Sequence, residues 1–220
     1  MRRTRDLLRL CFAATAAVAS CAPAAPPPTE TPVPPTIVPA KPTSTPLPVA
    51  TEPVAPQEVI WDADGVIAEG EYEHGVEVAG VEFHWSNDDV HLYGGMAAET
   101  SGWVSVGFDP DQRMQGANYI LGYVKGDDTV VADMYGTKPA GPGSHPPDED
   151  LGGTADVVEF GGREEGGVTV IEFKIPLDSG DQYDKPLDRG ATYNLIAATG
   201  RSDDLQSIHA SRGMGQITLD

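Results

Sequence analysis

From Val59 onward, apolar and polar residues alternate in short runs separated by Gly, Asp, Asn and Pro. Val81, Phe83 and Trp85 alternate with Glu82 and His84. Val90, Leu92 and Met96 share one phase. Val104, Val106 and Phe108 oppose Trp103 and Ser105, and Tyr119, Leu121 and Tyr123 oppose Ile120 and Val124. Further runs cover Thr129–Tyr135, Ala155–Phe160, Val168–Ile175 and Thr192–Ala198. In Val168–Ile175 the phase shifts between Val170 and Ile171, which predicts a β-bulge. Asn87-Asp88-Asp89 and Lys125-Gly-Asp-Asp128 read as hairpin turns. No stretch sustains a helical period. Period-two runs with turns between them predict an all-β fold, an antiparallel β-sandwich. Lys138–Gly153 lacks strand patterning; it is a long Gly/Pro-rich loop that ends in acids, a type that often carries function.

Upstream the texture differs. Residues 1–20 read as a signal peptide: Arg2, Arg3, Arg5 and Arg9 precede a short apolar stretch, Leu10 to Val18, too short for a stable transmembrane helix. Val18-Ala19-Ser20-Cys21 resembles a bacterial lipoprotein signal, in which the cysteine is lipidated and becomes the first mature residue. Residues 21–57 then combine the lipidated Cys21 with a disordered Pro/Thr-rich linker, an extended tether reaching roughly 100 Å. The folded domain is expected over 58–220. These features predict an extracytoplasmic protein, held at a bacterial cell surface or in the periplasm by a lipid anchor only.

Charge narrows the partners. The whole chain carries −20, and loss of residues 1–20 removes four arginines and one aspartate, giving −23. That excludes nucleic acid as a partner and fits a basic protein partner or simple solubility. Cys11 leaves with the signal, so the mature domain has no disulfide and no Cys-x-x-Cys-His; a haem there must be bound non-covalently.

Catalytic patterns are missing: no Gly-x-Ser-x-Gly, no phosphate-binding glycine loop and no His-Glu-x-x-His. The reading is therefore a protein that is not an enzyme. His84 and His91 flank a turn but lack a third metal ligand. Asp148, Glu149 and Asp150 form one acidic run, and Asp178, Asp181, Asp184 and Asp188 a second; either is a calcium candidate whose simpler reading is a solvated loop. Trp61, Trp85 and Trp103 could make a carbohydrate platform, against core packing as the simpler reading. Met114 lies in a polar turn between two strands and His209 in a polar stretch before the last strand. A thioether and an imidazole from separate strand ends can hold a haem iron from both faces.

Phe83-His-Trp85-Ser, Gly102-Trp-Val-Ser-Val-Gly-Phe-Asp-Pro110, Met114-Gln-Gly-Ala-Asn-Tyr-Ile-Leu-Gly-Tyr-Val124, Gly180-Asp-Gln-Tyr-Asp-Lys-Pro-Leu187 and Ser202-Asp-Asp…His209-Ala-Ser-Arg-Gly213 together resemble the DOMON domain family, over roughly residues 59–220. The resemblance implies an immunoglobulin-like β-sandwich that binds haem or sugar. Its cytochrome members use a Met after the Gly-Trp strand and a His near the C-terminus, and Met114 and His209 fall on those positions. It therefore implies haem b with Met114 and His209 as axial iron ligands, and electron transfer to a redox protein partner. Val104, Val106, Phe108, Tyr119 and Leu121 are the expected haem-lining side chains. The alternative is a non-catalytic module for carbohydrate or another small ligand, displayed on the spacer.

Overall fold

A computed structural model describes residues 60–220. The expected signal peptide, Cys21 and the Pro-rich linker lie outside the described residues. Within them the chain forms ten strands and one short helix: β1 (His74–Val78), β2 (Val81–Asn87), β3 (His91–Ala98), β4 (Val104–Phe108), β5 (Asn118–Lys125), β6 (Asp128–Tyr135), α1 (Asp148–Leu151), β7 (Glu159–Glu165), β8 (Val168–Pro176), β9 (Thr192–Thr199) and β10 (Ser211–Thr218). Two five-stranded sheets, β1-β2-β3-β8-β7 and β10-β9-β4-β5-β6, are antiparallel throughout. This is the antiparallel β-sandwich that the alternation predicts.

The core forms where one phase of each strand turns inward. Phe83, Phe108, Phe173, Leu92, Met96, Ile120, Ile171 and Leu195 are fully buried between the sheets. The Phe83 ring lies 6.0 Å from that of Phe108 and 6.3 Å from that of Phe173. Burial of each such ring stabilises the fold by roughly 1.5–3 kcal/mol. Both expected hairpin turns are present, joining β2 to β3 and β5 to β6.

Two expectations need correction. No bulge interrupts β8, which pairs in unbroken register with β3 from Thr169↔Ala98 to Pro176↔His91. Thr169, Ile171, Phe173 and Ile175 form one inward phase; Val168 and Val170 belong to the outer phase. They are apolar because segment 60–73 lies across that outer face, so β8 is covered on both sides. The strand expected over Ala155–Phe160 starts only at Glu159, because the Thr154 hydroxyl donates to the Asp181 carboxylate and the Asp156 N–H to the Asp133 carboxylate on β6.

Glu172 fastens the covering segment. It is wholly buried. Its Oε2 accepts from the backbone N–H of Gly65 (2.7 Å) and Val66 (3.2 Å), and its Oε1 from the Tyr72 hydroxyl (2.8 Å). The Trp61 indole donates to the Tyr72 oxygen at 2.8 Å. Burial raises the Glu172 carboxyl above its ordinary value, against the pull of these donors.

Candidate functional site

The second sheet carries a second apolar cluster on its outer face. β5 turns Tyr119 and Leu121 outward, and they join Trp103, Ala117 and Met134, with Met114, Ile196, Ala198 and Leu205 packed against them. A cavity of about 430 Å³ opens there. Its floor is the sheet, from Ser105, Tyr119, Leu121, Ile196 and Ala198. Three loops wall it, bringing Arg113 and Met114, then Pro139, Ala140 and His145, then His209. Met114 and His209, 95 positions apart in the sequence, thus line one cavity.

Each loop is held by identifiable bonds. In the turn before β5, Asp109 (φ 49°) and Arg113 (φ 57°) adopt left-handed backbone, which tightens the chain so that Met114 reaches inward. Lys185 donates to the Asp109 carbonyl (2.6 Å) and to the Asp111 carboxylate (2.8 Å), anchoring the same turn from outside. The Tyr119 hydroxyl donates to the Met114 carbonyl at 3.3 Å, and the Ser144 hydroxyl lies 3.7 Å from the Met114 sulfur.

The His209 loop hangs on Trp103. The indole N–H donates to Ser207 Oγ at 2.8 Å, the Trp103 N–H to the Ser202 carbonyl at 3.3 Å, and Gly200 N–H back to the Trp103 carbonyl at 2.7 Å. A Cβ at Gly102 would lie 2.5 Å from the Ser202 nitrogen, so only glycine admits this approach. The Gly102-Trp103 and Ser202-Asp203 motifs of the sequence are therefore the two sides of one contact. Asp204 Oδ1 accepts from the N–H groups of Gln206 and Ser207 and shapes the rest of the loop.

The imidazole of His209 is half-buried, and its Nε2 lies 3.0 Å from an Arg212 guanidinium nitrogen. Guanidinium has only donors, so Nε2 is the acceptor and carries no proton. His145 is a second imidazole of the cavity, its ring 5.5 Å from that of Tyr119. Burial first, and the neighbouring His209 in addition, hold His145 below the ordinary histidine range, which keeps it neutral.

Part of the expected lining is on the wrong side. Tyr119 and Leu121 face the cavity, but Val104, Val106 and Phe108 are buried between the sheets. Alternation on β4 sends Ser105 to the cavity instead. His145, Arg113 and Arg212 were not singled out by sequence pattern; only the length of the loop 138–153 pointed to His145.

The remaining candidates separate. His84 pairs opposite Gly95 and His91 opposite Pro176, so the two imidazoles do not meet. The three tryptophans share no surface. Trp85 and Trp103 are buried, and Trp61 packs edge-on to Tyr93 at 5.1 Å. From the two acidic runs, Asp148 and Asp184 are brought together beside Asp133 and Asp156. Burial raises Asp133 to about 7, Asp148 to about 8 and Asp184 to about 6, and mutual repulsion adds to each.

Residues 78–200 match the DOMON domain family. MOXD1 homolog 1 of Drosophila melanogaster is 29% identical over 126 residues, which are 55% of this chain and only 17% of that relative. Two solved structures are similar in fold. One is the cytochrome b domain of pyranose dehydrogenase from Coprinopsis cinerea (12% identity, 62% of this chain and 75% of that one, TM-score 0.44). The other is the cytochrome domain of Myriococcum thermophilum cellobiose dehydrogenase (13% identity, 67% and 81%, TM-score 0.45).

Proposed function

The chain belongs to the DOMON domain family, and from that premise we propose that it is an extracytoplasmic, lipid-anchored b-type haem domain that transfers electrons. Met114 and His209 are the residues that would hold its iron. The observation that carries the proposal is their convergence on one cavity of about 430 Å³ with an apolar floor and two arginines and a second histidine at its walls.

The donors present fit that group. Met114 offers a thioether, and His209 an imidazole whose Nε2 lone pair is free of a proton. Arg113 and Arg212, on the same cavity, offer two guanidinium groups for a haem's carboxylates. Haem, when bound, supplies one-electron exchange at iron. The protein's own contribution is to hold it, keep water away with Tyr119, Leu121 and Ile196, and set its potential. Thioether with imidazole favours the reduced state. If Met114 and His209 both hold the iron, the group would serve electron relay and not substrate turnover. Cys21 is the lipidated residue and residues 22–57 the spacer. The high negative charge of the mature chain suits a basic redox protein partner.

The test is spectroscopic. Protein expressed with ample haem should show a Soret band and a six-coordinate low-spin spectrum. Met114→Ala should give a high-spin centre of lower potential. Absence of any Soret band, or glycan binding by haem-free protein in its place, would overturn the reading.

A further inference from the structure

We propose that Asp133, Asp148, Asp156 and Asp184 form a binding site for a divalent cation of the calcium type, which pins both ends of the loop that walls the cavity. The four carboxylates come from β6, the first residue of α1, the link from α1 to β7 and the link from β8 to β9. Carboxylate oxygens of Asp133, Asp156 and Asp184 lie within 4.8 Å of one another.

A second observation sets this cluster apart from a solvated acidic patch. Asp148 is fully buried and Asp133 is 4% exposed. Both oxygens of Asp148, Oδ1 of Asp133 and Oδ1 of Asp184 are buried without a hydrogen-bond partner. The other oxygens are held. Asp133 Oδ2 accepts from the Asp156 N–H at 2.9 Å, Asp184 Oδ2 from the Ser179 hydroxyl at 2.6 Å, and Asp156 Oδ2 from the Thr154 hydroxyl at 2.8 Å. Each of these bonds leaves the second oxygen of its carboxylate available. Among the described residues no ion pair reaches any of the four aspartates.

Buried carboxylates without partners are costly, and two remedies exist: protons or a cation. Protonation turns an acid into a donor that needs an acceptor, and neither oxygen of Asp148 has a hydrogen-bond partner. A cation satisfies several orphan oxygens together. The donors are all oxygen, with no imidazole or thiolate, which selects a hard ion. A buried, carboxylate-rich site suits calcium better than magnesium, which gives up its waters reluctantly.

The position gives the site a role. Asp133 directly precedes Met134, a member of the apolar cluster below the cavity. Asp148 directly follows Pro147, which bridges to Met134, and Tyr135 N–H donates to the Pro146 carbonyl at 3.1 Å. The loop between them presents Pro139, Ala140 and His145 to the cavity. A cation held by Asp133, Asp156 and Asp184, with the Asp148 carboxylate in their immediate electrostatic neighbourhood, therefore staples that loop at its base. This coupling, unlike the cation site itself, rests on the haem reading.

The experiment is calcium titration by calorimetry, with thermal melts, on the haem-free full-length chain after EDTA treatment. Expected are one calcium per chain, a higher Tm with calcium, weaker binding of magnesium, and affinity lower by about tenfold or more in Asp133→Asn and Asp184→Asn. Asp184→Asn, the less buried of the two, serves if Asp133→Asn does not fold. No heat and no Tm shift at millimolar calcium, or undiminished binding in a folded variant, would overturn the proposal. A higher Tm in Asp148→Asn together with indifference to calcium would also overturn it, in favour of proton sharing. Calcium binding by a protein that takes up no haem leaves this proposal standing and removes the haem reading. In haem-loaded protein, EDTA should speed haem loss.

Discussion

The Arg212 guanidinium donates to Nε2 of His209 across 3.0 Å. Since arginine cannot accept, the bond selects the imidazole tautomer whose proton sits on Nδ1. The nitrogen facing the guanidinium then carries no proton, and it can bind a metal only when the Arg212 guanidinium moves off it. In haem-free protein, nitrogen-detected NMR should find the His209 proton on Nδ1, the tautomer that the Arg212 bond selects. Arg212→Ala should admit the Nε2–H form. An unchanged tautomer in the variant would show that Arg212 does not set it.

His145 and His209 line the same cavity, so ligation by two imidazoles is the sharpest competitor to Met114 with His209. His145→Ala should retain a low-spin spectrum and shift the potential only modestly, because Met114 and His209 remain. If His145→Ala becomes high-spin while Met114→Ala stays low-spin, the sixth ligand is His145. Electronic absorption and magnetic circular dichroism of the two variants decide the matter.

Strand alternation carried most of the fold, and its failures have physical causes. A period of two says which residues share a face but not which face turns inward. Val104, Val106 and Phe108 were thus expected at the cavity yet fill the space between the sheets, while Ser105 meets the cavity. Val168 and Val170 mimicked a bulge because segment 60–73 makes the outer face of β8 apolar as well. Met114 and His209 stood out because their motifs are local. The acidic site stood out only in part: Asp148 and Asp184 belong to the two acidic runs, but Asp133 is one polar residue in the alternation of β6 and Asp156 lies outside both runs.

Gly107 sits beneath the cavity floor. A Cβ there would lie 2.6 Å from the Tyr119 ring and 3.0 Å from Ile196 Cγ1. Gly107→Ala must displace both side chains, and overpacking of this kind costs about 1–3 kcal/mol. The displaced Tyr119 also loosens its bond to the Met114 carbonyl. Urea unfolding should report the loss of stability and haem titration a weaker uptake; wild-type values in both would show that the floor yields freely.

Glu172 holds three donors at once: Gly65 N–H, Val66 N–H and the Tyr72 hydroxyl. Glu172→Ala strands them under the covering segment, at about 1–3 kcal/mol for each buried donor that finds no water. Glu172→Gln keeps one acceptor oxygen and should cost about 1 kcal/mol. Hydrogen exchange at Gly65 and Val66 should accelerate in the alanine variant before global unfolding does. Equal stability of the wild type and the alanine variant would mean that the segment is held by its apolar contacts alone.

Asp88 closes the β2–β3 turn. Its Oδ1 accepts from the N–H groups of Val90 (2.7 Å) and His91 (2.6 Å), and its Oδ2 from the Tyr93 hydroxyl (2.7 Å). Desolvation alone would raise this carboxyl, but the three donors and His91 outweigh it and bring it down to about 2. The ionised form therefore favours the folded state. Its contribution is complete above the unfolded carboxylate value of about 4 and disappears as pH falls through about 2. Asp88→Asn keeps one acceptor and no charge, and because the turn is exposed the loss near neutrality should be only about 1 kcal/mol. The gap between wild type and variant in urea unfolding should narrow between about pH 4 and pH 2 and stay constant above that range. A gap that does not change with acid would show that the turn is held by shape and not by the charge of Asp88.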